Sequence, residues 1–82
     1  MKFLRMTVHD DRTTWGCEYD QDHMVEYSQY FAGDRISELV LYIKEEEGGL
    51  GSRIWSKRLD YDPGLGEVAG LLKKAMEDLY GS

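Results

Sequence analysis

Eighty-two residues leave room for one domain with a small core and none for a second that could fold alone. Ten Lys and Arg stand against sixteen Asp and Glu, a net charge of −6, and such a field disfavours direct nucleic-acid binding and anionic membrane while accommodating a basic protein. The hydrophobic share of 41% argues against disorder, and the charge is spread along the chain, −4 over residues 1 to 41 and −2 over 42 to 82, so this is an acidic domain and not a neutral one with an acidic tail.

In residues 3 to 9, Leu4, Met6 and Val8 alternate with Arg5, Thr7 and His9, the period of a strand with one covered face. Asp10 and Asp11 supply the turn, and residues 13 to 19 return with Thr13, Trp15, Cys17 and Tyr19 on one side, which makes 3 to 19 a hairpin. Gly16 inside that strand signals a bulge or a close backbone approach. After Asp20 to His23, residues 24 to 31 read as a third strand with Val25, Tyr27 and Phe31 on one side and Met24 and Tyr30 on the other; the spacing of Met24, Tyr27 and Phe31 also suits a helix.

Gly33 and Asp34 break the pattern, and Asp34 caps a helix whose stripe is Ile36, Leu39, Val40 and Ile43, closed by Gly48. Two features oppose that helix: ISELVLYI is rich in strand formers, and Glu45, Glu46 and Glu47 would meet the negative end of the helix dipole. Residues 52 to 60 form a fourth, edge-like strand with Trp55 and Leu59 on one side, Ile54 on the other, and Arg53, Lys57 and Arg58 in water. Asp62 and Pro63 start a second helix with the stripe Leu65, Val68, Leu72, Met76 and Leu79, and Gly70 in its interior implies a neighbour pressing close. The expected fold is therefore α+β: an antiparallel sheet of about four strands with two helices, in the order βββαβα, the helices covering the Leu4 and Trp15 side.

Candidate chemistry is sparse. His9, Asp10, Asp11, Cys17, Asp20, Asp22 and His23 include metal-ligating types, but not at the spacing of a recognised zinc site. No nucleophile motif accompanies Cys17, and Gly48, Gly49 and Gly51 lack the lysine and context of a phosphate loop. The chain is read as a non-enzyme with no cofactor and no metal. The single cysteine excludes an intramolecular disulfide and makes the cytoplasm the expected compartment; no stretch is long and apolar enough for a bilayer span.

Two Trp, six Tyr and two Phe exceed what one small core encloses, so the exposed members of Tyr27, Tyr30, Tyr42 and Trp55, with Glu45, Glu46 and Glu47, are expected to contact a partner with a basic surface. That makes the chain a small acidic interaction module, a regulator or inhibitor, and surplus aromatics also permit a homodimer. Two alternatives use the same residues differently. Carboxylates at Asp10, Asp11, Asp20, Asp22, Glu45 to Glu47, Asp60 and Asp62 could imitate nucleic-acid phosphates, and Arg53, Lys57 and Arg58 beside Trp55 could hold a nucleic acid. The stretch YFAGDRISELVLYI, residues 30 to 43, is similar to the strand-Gly-Asp-helix corner of HicB-like antitoxin domains. That resemblance implies a short meander before a helix and a protein-neutralising role, and it carries over no site residue.

Overall fold

A computed structural model describes residues 1 to 32, 36 to 47 and 49 to 81. Five strands, β1 (Lys2–Val8), β2 (Arg12–Glu18), β3 (His23–Tyr30), β4 (Ser37–Lys44) and β5 (Leu50–Leu59), precede a single helix, α1 (Gly64–Tyr80). The strands form one antiparallel meander in sequence order.

The expected four strands and two helices in the order βββαβα are thus corrected, because residues 37 to 44 are a central strand. Ser37, Leu39 and Leu41 point to the helix side and are almost wholly buried, while Val40 and Tyr42 alternate with them on the opposite side. A strand buried on both faces reads as a continuous apolar run, in which the helical spacing of Ile36, Leu39, Val40 and Ile43 is contained by accident. The strand reading also removes the clash between Glu45 to Glu47 and a helix dipole. The helix half of the likeness to HicB-like domains goes with it; the proposed caps at Asp34 and Gly48 lie outside the described residues.

Helix α1 covers one face of the sheet. Val68, Leu72 and Ala75 bury against Cys17, Val25, Tyr27, Leu39, Leu41 and Leu59, with Trp15, Ile54, Trp55, Leu71 and Met76 packed at the margin. Trp15 stacks on Tyr27 with ring centroids 5.3 Å apart. Leu65 and Leu79, the two ends of the expected stripe, remain exposed because the contact covers only the middle of the helix.

Both edge strands are irregular. Phe3 pairs with Cys17 but Arg5 with Gly16, so Leu4 is an extra residue in β1. This bulge, opposite Gly16 and not within its strand, sends Met6 and Val8 to the helix side with Phe3 and leaves Leu4 on the other face, correcting the expected Leu4, Met6, Val8 row. In β5 two shifts accompany Ile54 and Gly51, and the first returns Ile54 to the core.

Clips fasten both ends of the helix. Near its start, Asp62 accepts hydrogen bonds from the Tyr27 hydroxyl, the Gln29 amide and the Gly64 backbone amide. Pro63 is the capping position and makes no side-chain cap; Asp62, one residue before it, closes a local turn on the first helical amide, that of Gly64 at φ +72°. At the far end the Tyr80 hydroxyl lies 2.9 Å from His23 Nε2, whose Nδ1 is 2.8 Å from Asp20 Oδ1. The ring thus bridges the Asp20 carboxylate and the Tyr80 phenol, one through each nitrogen.

Two glycines have opposite surroundings. Gly70 has no neighbour within 4 Å of a virtual Cβ, so no close packing accounts for it, whereas at Gly51 that atom would sit 2.5 Å from the Ile43 carbonyl oxygen. Gly70→Ala is expected to raise stability by about 1 kcal/mol, about 4 to 8 °C in Tm for a domain of this size. Gly51→Ala should lower stability by about 1 to 3 kcal/mol through a backbone clash. Thermal melts of the two variants check both signs.

Candidate functional site

The face of the sheet away from the helix is polar at its centre. Thr14 Oγ1 and Ser28 Oγ, both buried, are 2.9 Å apart across β2 and β3. Beside them the Tyr42 hydroxyl donates to Glu26 Oε1 at 2.9 Å, and the Tyr30 hydroxyl approaches Glu38 Oε1 at 3.5 Å. Arg58 Nε stands 3.7 Å from the other Glu38 oxygen, and the Arg12 guanidinium lies 6.0 Å above the Tyr30 ring. Apart from Arg58, these side chains line, with His9, Val40 and Arg53, a shallow cleft of about 290 Å3. The rows coincide because residues opposed in an antiparallel ladder share a face: Thr14 with Ser28, Ser28 with Glu38, Glu38 with Arg58. Toward the other end of the same face, Leu4, Met24 and Leu50 surround an apolar cleft of about 200 Å3.

A second surface is set by connectivity. The β2–β3 turn with Asp20 and Asp22, the β4–β5 turn with Glu45, Glu46 and Glu47, and the C-terminus of α1 all lie at one end of the molecule. The Lys44 amide donates to the Asp22 carbonyl at 2.7 Å, and Tyr80 reaches His23 across the gap. Glu45 to Glu47 are exposed, and the last turn of α1 carries no basic residue after Glu77 and Asp78. Burial works against ionisation of Asp20, but the His23 ring and the Asp22 amide at 2.8 Å outweigh it and hold its carboxyl below the usual range. Lys44 Nζ, 2.5 Å from Glu18 Oε2, lowers that carboxyl likewise.

The residues proposed for partner contact do not form one patch. Tyr30 and Tyr42 share the polar cleft; Glu45, Glu46 and Glu47 stand at the acidic end. Trp55 is half-buried on the helix side near Leu71 and Ala75. Tyr27 is 1% exposed and bonded to Asp62, so its expected place on a contact surface is corrected to the core. The basic set is split as well: Arg53 and Arg58 occupy the polar face, Lys57 the helix side with Trp55. Glu26, Glu38, Thr14 and Ser28 belong to no motif in the sequence; the registers set Thr14, Ser28 and Glu38 opposite one another and Glu26 on the same face.

Of the metal-ligating types, Asp10 and Asp11 sit at the β1–β2 turn, Asp20, Asp22 and His23 at the opposite end, and Cys17 in the core, where burial pushes its thiol pKa up. No group of three or more His, Cys, Asp or Glu able to hold a metal exists among the described residues. None of the described helices is long and apolar enough to cross a membrane.

The Tyr42 phenol is raised above its ordinary value of 10.0, first by burial and then by its bond to Glu26. A raised phenol favours folding below the unfolded value, and that contribution fades as pH rises from about 10 toward the folded value. Tyr42→Phe should therefore cost about 1 kcal/mol at pH 7 and show a shallower loss of stability above pH about 10. Urea unfolding at pH 7 and at increasing alkaline pH measures both.

Comparison of the chain with protein-family models, with curated proteins and with solved structures finds no match in any of the three.

Proposed function

We propose that the chain is a small acidic protein-interaction module, a regulator or inhibitor acting in the cytoplasm, that engages the basic surface of a partner through its acidic end. One observation carries this reading. The meander brings the turns of Asp20, Asp22 and Glu45 to Glu47 to the same end as the C-terminus of α1, where Glu77 and Asp78 already oppose the helix dipole. Carboxylates at a helix C-terminus cost about 0.3 to 1 kcal/mol each at low salt. A cationic partner surface relieves both that cost and the mutual repulsion of the turns, so binding draws on energy stored in the free protein.

The alternatives have less support in the arrangement. The carboxylates of Asp10, Asp11, Asp60 and Asp62 belong to the opposite end, so the acidic groups do not form one strip spaced like a phosphate backbone. Arg53 and Arg58 are separated by the sheet from Lys57 and Trp55, which divides the basic set that a nucleic acid would need together.

The test begins with affinity capture from a native cell extract and continues with the recovered partner in stopped-flow measurements. Glu45→Gln, Glu46→Gln and Glu47→Gln combined are expected to slow association about tenfold at low ionic strength and flatten its salt dependence. An unchanged rate and salt slope would remove these glutamates from the interface.

A further inference from the structure

Strand β1 is the one element whose every residue is exposed. It has a partner, β2, on one side only, so alternate amides and carbonyls along its outer edge face away from the sheet. On the helix side it presents Phe3, Met6 and Val8, exposed by 52, 55 and 66%, and Leu65 of α1, which shares a groove with Phe3, is 45% exposed. Between Phe3 and the first turns of the helix, over Cys17 and Ala69, runs a groove of about 410 Å3. On the other face the same strand carries Lys2 and Arg5. Arg5 lies along Gly16, with its Cγ 3.5 Å from where a Cβ would be, and makes no ion pair among the described residues. Lys2 opposes Glu18, a carboxylate already taken by Lys44.

We propose that β1 is a docking edge for an extended segment of another protein in which apolar and acidic residues alternate. The chemistry follows from the ladder rule that opposed residues share a face. A strand added to this edge lays one set of side chains against Phe3, Met6 and Val8 and into the groove, and the alternate set beside Lys2 and Arg5. Apolar residues suit the first and carboxylates the second.

Charge selects this occupant over a second copy of the chain. Pairing β1 with another β1 places Lys2 and Arg5 on the same face as their own duplicates. Pairing β1 with the other free edge, β5, places them on the face that bears Arg53 and Arg58. Both self-associations set cation against cation, with no carboxylate from either edge strand, since Leu50 to Leu59 contains none and neither does Lys2 to Val8. An acidic strand turns the same cations into attraction. This edge meets the acidic end only at Lys2, beside Glu18, and its apolar row and Arg5 do not depend on that end.

The probe is a capped seven-residue peptide of alternating valine and glutamate, N-methylated on alternate amides so that only one of its edges can pair; a second peptide has lysine in place of glutamate. Amide exchange by NMR on the full chain reads the site, and a fluorescence titration reads affinity. The glutamate peptide is expected to slow exchange in β1 and to bind at least tenfold more tightly than the lysine peptide, a preference that added salt and Arg5→Glu both abolish. Arg5→Gln, which keeps the aliphatic stem over Gly16, should reduce the preference without reversing it and serves where the charge reversal unfolds the protein. Equal binding of the two peptides, protection at β5 instead of β1, no binding, or a concentration-dependent dimer that protects β1 without peptide would each overturn the proposal.

Discussion

A single helix has to shield one face of a five-stranded sheet, and it is too narrow to do so. Five strands spaced about 4.8 Å apart span about 19 Å between the outer two, whereas a helix with its side chains is about 10 to 12 Å across. Helix α1 resolves the mismatch by lying over the central strands. There Val25, Tyr27, Leu39 and Leu41 are sealed by Val68 and Leu72. What remains uncovered is decided by that placement: the Phe3, Met6 and Val8 row at one margin, a half-buried Trp55 at the other, and Trp15 stacked on Tyr27 as the border of the core.

With so few side chains in the contact, the orientation of the helix rests on its ends. Asp62 at the start and Tyr80 at the finish each bond to β3, through Tyr27 and Gln29 at one end and His23 at the other. Those two attachments lie on the central strand and hold the helix along it, so it cannot swing over β1 without breaking one of them. Ser37 adds a third tie, its hydroxyl donating to the Tyr61 carbonyl at 2.7 Å from a fully buried position. The burial of Tyr27 has the same origin: its ring fills the core while its hydroxyl needs Asp62, a polar handle on an apolar body.

The hairpin and the C-terminal helix were legible because each shows one period and its own boundary signals, such as Asp10 and Asp11 between β1 and β2 and Pro63 before α1, and in the third strand, whose spacing also suits a helix, aromatic content decided for the sheet. Residues 36 to 44 were not, since a strand covered on both sides loses the alternation that would distinguish it from a helix; its β-branched content and the three following glutamates were the better guides. Bulges were also hidden. A single inserted residue at Leu4 reverses the facing of everything beyond it, and no residue type marks that position, so of the expected row Met6 and Val8 share a face with Phe3 and not with Leu4. The polar cleft shows a related limit: Glu26 and Ser28 look like the wet side of an ordinary strand until the registers place Tyr42 and Glu38 opposite and beside them.

The distribution of charge completes the logic of the narrow helix. A sheet with two open edges invites pairing between copies, and natural sheets resist it with charged side chains and bulges on the outer strands. Here both outer strands contain extra residues and only basic charges, although the chain as a whole carries −6. The carboxylates stand in the turns, on α1 and on the inner strands as Glu18, Glu26 and Glu38, which leaves the two edge strands cationic. Charges that oppose self-pairing do not close an edge to other chains. In the docking proposal the same cations that would oppose a second copy leave β1, with its apolar row and unpaired backbone, attractive to a strand of opposite charge, so resistance to self-pairing and selectivity for a partner would arise from one arrangement of Lys2 and Arg5.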